Sequence, residues 1–148
     1  WGRRERVVRM VVYDFFLYNR QGVCLYYRDW KCTRKRKNLE QKQRLMYGMI
    51  YQMKTFVKHL SPKGGTKTFN SFKTNTYKLH FFESASGFML VLNTDHSVDT
   101  LTDDLRYIYS EIFVEHILKS PLYEPQQPID SPLFIEALDD FVLGRNYA

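Results

Sequence analysis

Residues 43–60 read QRLMYGMIYQMKTFVKHL, and this stretch decides the fold because it describes one helix with two apolar faces. At 100° per residue, Leu45, Met46, Met49, Ile50, Met53, Phe56, Val57 and Leu60 gather on one side, the stripe a helix lays on a core. Tyr47 and Tyr51 fall roughly opposite, one turn apart, with Lys54 and Lys58 continuing their line and Thr55 beside it. A monomer has no use for two aromatics there unless something covers them. Gly48 lies next to this second face. A glycine inside a helix costs roughly 1 kcal/mol against alanine, and its benefit is close approach by another backbone. Tyr47, Gly48, Tyr51, Lys54, Thr55 and Lys58 are therefore the expected partner-binding residues.

Working outward, residues 11–18 are rich in β-branched and aromatic side chains, Asn19, Arg20, Gln21 and Gly22 make a turn, and residues 23–27 resume the strand composition. That is a hairpin. A basic loop at 31–38 leads to the helix, which ends near Ser61, before Pro62, and Lys63, Gly64, Gly65 and Thr66 form a second loop. Strands follow at 68–72, 77–82 and 88–92; the last has no polar alternation and should be covered on both faces. A second helix is expected with Thr100 as its cap and Asp103 and Asp104 in its first turn, ending before Pro121. Leu101, Leu105, Ile108 and Ile112 form one stripe on it; Tyr107, Val114 and Leu118 form another. After a connector held by Pro121, Pro125 and Pro128, Ser131 caps and Pro132 opens a third helix carrying Phe134, Leu138, Phe141 and Val142, closed by Gly144. The order is ββαβββαα: an α+β fold, a five-stranded antiparallel sheet with helices on both faces.

A chain of 148 residues is one domain by size, with eleven Tyr and eleven Phe suited to strands and interfaces. Its longest apolar run, 88–92, is far below the roughly 20 residues that cross a bilayer. Residues 3–17 imitate a signal peptide, but Asp14 interrupts the apolar part and no cleavage site follows, so a secreted protein is not expected. Two cysteines, Cys24 and Cys32, support neither a disulfide framework nor a zinc site, and a reducing cytosol is the simplest setting. The net charge of +6 divides into 19 basic against 5 acidic residues through position 83, and 3 against 11 beyond it.

No catalytic constellation emerges. His59, His80, His96 and His116 fall on different elements; His116 faces an apolar stripe and reads as a hydrogen-bonded packing residue. Cys24, between Val23 and Leu25 on a strand, reads as a small buried hydrophobe rather than a nucleophile. The run from Gly64 to Thr68 lacks phosphate-loop spacing and leads into a strand. Asp99, Asp103 and Asp104 are explained by a helix start. No cofactor or metal is expected. Lys31, Arg34, Lys35, Arg36 and Lys37 form a solvated loop on the plain reading, and their charge also fits steering toward a partner or an anionic membrane. Nucleic acid is disfavoured because no aromatic interleaves with them. A free-standing basic domain binding nucleic acid or anionic lipid through this loop is the alternative function.

Four blocks then carry a resemblance. They are Tyr18-Asn19-Arg20-Gln21-Gly22-Val23-Cys24-Leu25 running on to Trp30; Leu45-Met46-Tyr47-Gly48-Met49-Ile50 with Phe56-Val57 and Ser61-Pro62; Tyr77-Lys78-Leu79-His80-Phe81 with Ser86-Gly87 and Asn93-Thr94-Asp95; and Ile108-Tyr109-Ser110 with Lys119-Ser120-Pro121-Leu122. In this order the chain resembles the small core subunits of the TRAPP (transport protein particle) vesicle-tethering complex, of the longin-like or sedlin type, over nearly all of residues 10–143. It departs from their pattern at Asn19, where aspartate is expected, and around Gly64 and Gly65. Residues 1–9 precede the family's usual start, which Met10 fits, and read as an extension or a cloning remnant before a single longin-like domain at 10–148. The resemblance implies a non-catalytic subunit that joins longin-like and Bet3-like TRAPP subunits in a flat core. It further implies a share of a composite surface that exchanges nucleotide on a Rab GTPase in ER-to-Golgi transport. The expected place is cytoplasmic, peripheral on Golgi and endoplasmic reticulum membranes.

Overall fold

Phe15 and Leu17 go into one buried cluster, and Phe16 and Tyr18 into another on the opposite side. A strand whose neighbouring residues are all buried must have a layer on each face. That strand is β1 (Val12–Tyr18), in a computed structural model that describes residues 11–31, 38–60 and 71–144. The expected N-terminal extension at 1–9, the loop residues Arg34, Lys35, Arg36 and Lys37, and the turn with Gly64 and Gly65 lie outside the described residues.

The other strands are β2 (Cys24–Asp29), β3 (Ser71–Lys73), β4 (Lys78–Glu83) and β5 (Met89–Thr94). They form one sheet in the order β2-β1-β5-β4-β3, with every pairing antiparallel. The β1–β2 turn is built as its residues dictate. Gly22 takes φ +86°, and Asn19 accepts the Val23 amide on its side chain at 2.9 Å while its own amide bonds the Val23 carbonyl. Strand β5 is buried along its whole length, as its unbroken apolar run requires.

Helix α1 (Leu39–Leu60) covers one face, with Ile50 packed among Phe16, Tyr18, Leu79, Phe81, Met89 and Val91. The opposite face carries the other two helices over Phe15, Leu17, Leu25, Leu90 and Leu92. Helix α2 begins as an α-helix (Thr102–Tyr107) and continues as a π-helix (Ile108–Leu118), where the Lys119 amide bonds the carbonyl of Val114, five residues back, at 3.0 Å. Helix α3 runs Pro132–Gly144, with Ser131 accepting the Phe134 amide as its cap.

Two expectations for α2 are corrected. Thr100 is not the cap: the helix starts at Thr102, behind Leu101, which makes no side-chain capping bond. The first stripe, Leu101, Leu105, Ile108 and Ile112, is buried as expected, but it continues through Phe113 and Ile117, spaced i+5 and i+9 from Ile108, rather than through the second stripe, whose Val114 and Leu118 are only partly buried. The wider π turn brings Ile117 back under Ile108, and Tyr107 is left 46% exposed, stacked on Phe141 at 4.5 Å.

Candidate docking surface

Three polar ties set how α1 is rotated about its axis. Near its start, Lys42 Nζ donates to Asp14 Oδ2 at 2.9 Å and to the Tyr27 hydroxyl at 3.0 Å, and Asn93 donates to the other oxygen of Asp14 at 2.6 Å. Burial pulls the Lys42 pKa down, but the hydrogen bonds to Tyr27 and Asp14 outweigh it and leave the ammonium with a raised pKa. The Tyr18 hydroxyl donates to the Gln43 carbonyl at 2.7 Å; burial pushes the Tyr18 pKa up, so it stays a neutral donor. Further along, Lys54 bonds Glu83 at 2.9 Å.

This rotation corrects the apolar stripe read from sequence. The sheet-facing line is Met46, Ile50, Met53 and Val57, flanked by Met49 and Tyr47. Leu45, Phe56 and Leu60 point to solvent, exposed by 66%, 60% and 66%. Tyr47, expected on the outer face, lies instead against the Tyr18 ring with centroids 5.5 Å apart, in a slot that exists because residue 22 has no side chain; a Cβ there would stand 2.8 Å from the Tyr47 ring. Tyr51 is exposed by 61%, and Thr55 and Lys58 are also exposed. The Thr55 hydroxyl donates to the Tyr51 carbonyl within the helix. Lys54 is occupied by Glu83.

The outer surface of α1 thus carries an apolar arc of Leu45, Phe56 and Leu60 along one edge and Tyr51 toward the other, with Gly48 between Leu45 and Tyr51. No atom lies within 4 Å of where a Gly48 Cβ would sit. Such a gap between large side chains admits the ridge of another helix. The arc continues into a groove of about 490 Å³ lined by Leu45, Met46, Met49 and Tyr77. On the other flank, Tyr47, Tyr51, Arg20 and the Lys54–Glu83 pair border a cleft of about 390 Å³ at the hairpin end of the sheet. Of the expected residues, Gly48, Tyr51, Thr55 and Lys58 share the outer side of α1, and Tyr47 and Lys54 sit at its junction with the sheet. Sequence reading missed Leu45, Phe56 and Leu60 as surface residues, because two apolar arcs on one helix leave open which of them faces the sheet. The signal that resolves it is Lys42 with Asp14, a pair far apart in sequence.

Three further candidates have structural roles. The Cys24 thiol is pushed up to about 11 by burial, which leaves little thiolate at neutral pH. His116 hydrogen-bonds the Ile112 carbonyl one turn back at 2.9 Å. Lys31 sits over the Tyr13 ring at 4.4 Å. Among the described residues no group of three or more His, Cys, Asp or Glu side chains could hold a metal ion, and no helix is long and apolar enough to cross a membrane.

Comparison with known proteins gives consistent matches. The model of the Sybindin-like family matches residues 12–144. The chain is 38% identical over 131 residues to "Trafficking protein particle complex subunit 1" of Dictyostelium discoideum, covering 87% of this chain and 92% of the relative. It is 38% identical over 135 residues to the human protein of that name, covering 90% and 92%. It is 30% identical over 151 residues to "Transport protein particle subunit bet5" of Schizosaccharomyces pombe, covering 90% and 96%.

Proposed function

The chain belongs to the Sybindin-like family, and on that premise we propose that it is a core subunit of a trafficking protein particle complex that docks a neighbouring subunit on the outer face of α1. The observation that carries this reading is the arc of Leu45, Phe56 and Leu60, with Gly48 beside it, standing in water on a helix whose other side is already packed. Exposed apolar area of this kind marks an interaction site. The neighbour is a longin-like subunit, and a Bet3-like subunit adjoins elsewhere in the core.

Within that complex the chain contributes to guanine-nucleotide exchange on a Rab GTPase in ER-to-Golgi transport, from the cytoplasmic face of Golgi and endoplasmic reticulum membranes. Exchange makes no bond in the exchange factor; it requires tighter binding of the nucleotide-free GTPase than of the loaded one. A contributing subunit supplies shape and polarity, and none of its residues needs to be a catalyst. Lys31, with the basic residues that follow it, adds electrostatic attraction to an anionic membrane or partner. The test is release of labelled nucleotide from the Rab GTPase by the reconstituted complex, with this subunit, without it, and with Phe56→Asp. Release that needs the wild-type subunit supports the reading. Release that proceeds equally without it contradicts the exchange role.

A further inference from the structure

Among the described residues outside α1, the most exposed large apolar side chains are Leu122 and Leu133, at 87% and 69%. Both belong to the opposite layer of the molecule, where the connector from α2 enters α3. Leu122 stands on an ordered turn: its amide donates to the Ser120 hydroxyl at 3.2 Å, and the Tyr123 amide donates to the Ser120 carbonyl at 3.1 Å. Further on, the Ile129 amide bonds the Leu25 carbonyl at 2.8 Å, which fastens the connector to strand β2. The turn therefore holds Leu122 out in water rather than letting it fold back.

Leu122 borders a groove of about 460 Å³ whose lining includes Ile117, Tyr123, Ile129, Pro128 and Pro132. Two carboxylates, Glu124 and Asp130, also line it, and neither makes a side-chain hydrogen bond or ion pair among the described residues. Lys119 does not neutralise them, since its ammonium is bonded to Glu115 at 2.7 Å. His116, on the groove wall, uses Nδ1 on the Ile112 carbonyl; with that nitrogen protonated, Nε2 is left as an acceptor. Gln127 and the hydroxyls of Ser120, Tyr123 and Ser131 add neutral donors to the lining, so the charge of the groove is that of Glu124 and Asp130, beside a ready-made apolar part. An anionic lipid surface is repelled by such a rim, whereas a basic peptide is drawn to it.

We propose that this groove is a second docking surface, separate from α1, for an extended segment of a partner protein that sets an aliphatic side chain against Leu122 and a Lys or Arg against Glu124 and Asp130. This groove lies across the sheet from α1. The surface does not depend on the α1 reading.

The test pans a phage-displayed library of random dodecapeptides on the full chain, after depletion on the Leu122→Asp variant. The expected survivors carry an aliphatic residue beside Lys or Arg. A synthetic peptide of the enriched sequence should bind Leu122→Asp roughly tenfold or more weakly than wild type, because the leucine contact is lost. Its affinity should also fall for Glu124→Lys/Asp130→Lys and with rising salt. Leu122 is so exposed that its replacement should leave the circular dichroism spectrum and melting temperature unchanged. No enrichment, survivors without basic residues, or peptides that bind Leu122→Asp as well as wild type would overturn the proposal. Capture of a longin-like subunit by α1 reports separately on the first surface.

Discussion

Gly48 and Gly22 are both glycines with opposite consequences. At Gly48 a methyl group would meet open space, so Gly48→Ala should stabilise the isolated chain by about 0.5–1 kcal/mol in urea unfolding. Gly48→Leu should fold comparably yet bind a partner subunit much more weakly; equal loss of stability and assembly would make Gly48 a simple packing position. Gly22, at φ +86° beneath the Tyr47 ring, should lose more than about 1 kcal/mol as alanine in the same assay. The turn glycine was readable from Asn19 to Gly22, but the slot it opens for Tyr47 was not, since that contact joins residues 25 positions apart. His80 gives the pH dependence. The Thr94 hydroxyl donates to the Asp95 carbonyl, so His80 Nε2 must carry the proton it shares with Thr94 at 2.8 Å, leaving Nδ1 bare and buried. Burial, helped by Lys78, lowers the His80 pKa to about 4 from its ordinary 6.5. Because the unfolded chain takes up the proton first, the stability from neutral His80 is complete above pH 6.5 and is lost as pH falls toward 4. The limiting slope is about 1.4 kcal/mol per pH unit. Unfolding curves of His80→Leu should be flatter across that window, and parallel curves would contradict this assignment.

Helix α1 has one face for the sheet and one for a partner, and substitutions should separate them. Ile50→Ala, in the core, should cost roughly 2–5 kcal/mol. Phe56→Asp, on the outer arc, should change stability by no more than about 0.5 kcal/mol. Lys42→Met strands the buried carboxylate of Asp14 and should destabilise by on the order of 2 kcal/mol or more, measured by thermal or denaturant unfolding. At this scale the sequence was informative about existence and less so about rotation. The helix, which starts at Leu39 rather than at 43, the β1–β2 hairpin and the start of α3 at Pro132 follow from local periodicity and turn chemistry. The facing of α1 depends on Lys42, Tyr18 and Glu83, partners brought together only by the sheet. The π winding of α2 likewise has no local marker. It is legible afterwards in the spacing of Ile108, Ile112, Phe113 and Ile117, which fits a turn wider than 3.6 residues.

Across the whole molecule, the division of charge along the chain becomes a division between layers. Lys42, Arg44, Lys54 and Lys58 outnumber Glu40 on α1, while Asp103, Asp104, Glu111, Glu115, Glu136, Asp139 and Asp140 outnumber Arg106 on α2 and α3, on the other face of the sheet. Asp139 is internal to the fold, accepting from Arg28 and from the Trp30 indole and so locking α3 to the end of β2. Each layer also carries exposed leucines, Leu45 and Leu60 on α1 and Leu122 and Leu133 on the other side of the sheet. The most direct measurement is the mass, by light scattering in high salt, of the particle formed when the full chain is co-expressed with a longin-like subunit of the same complex, for wild type and for Leu45→Asp/Phe56→Asp. The account predicts a stoichiometric complex for the wild type and separate, fully folded subunits for the variant, because apolar burial on α1 survives salt and an aspartate pair does not allow it. A variant that still assembles, or a wild-type chain that remains monomeric beside its partner, would contradict it.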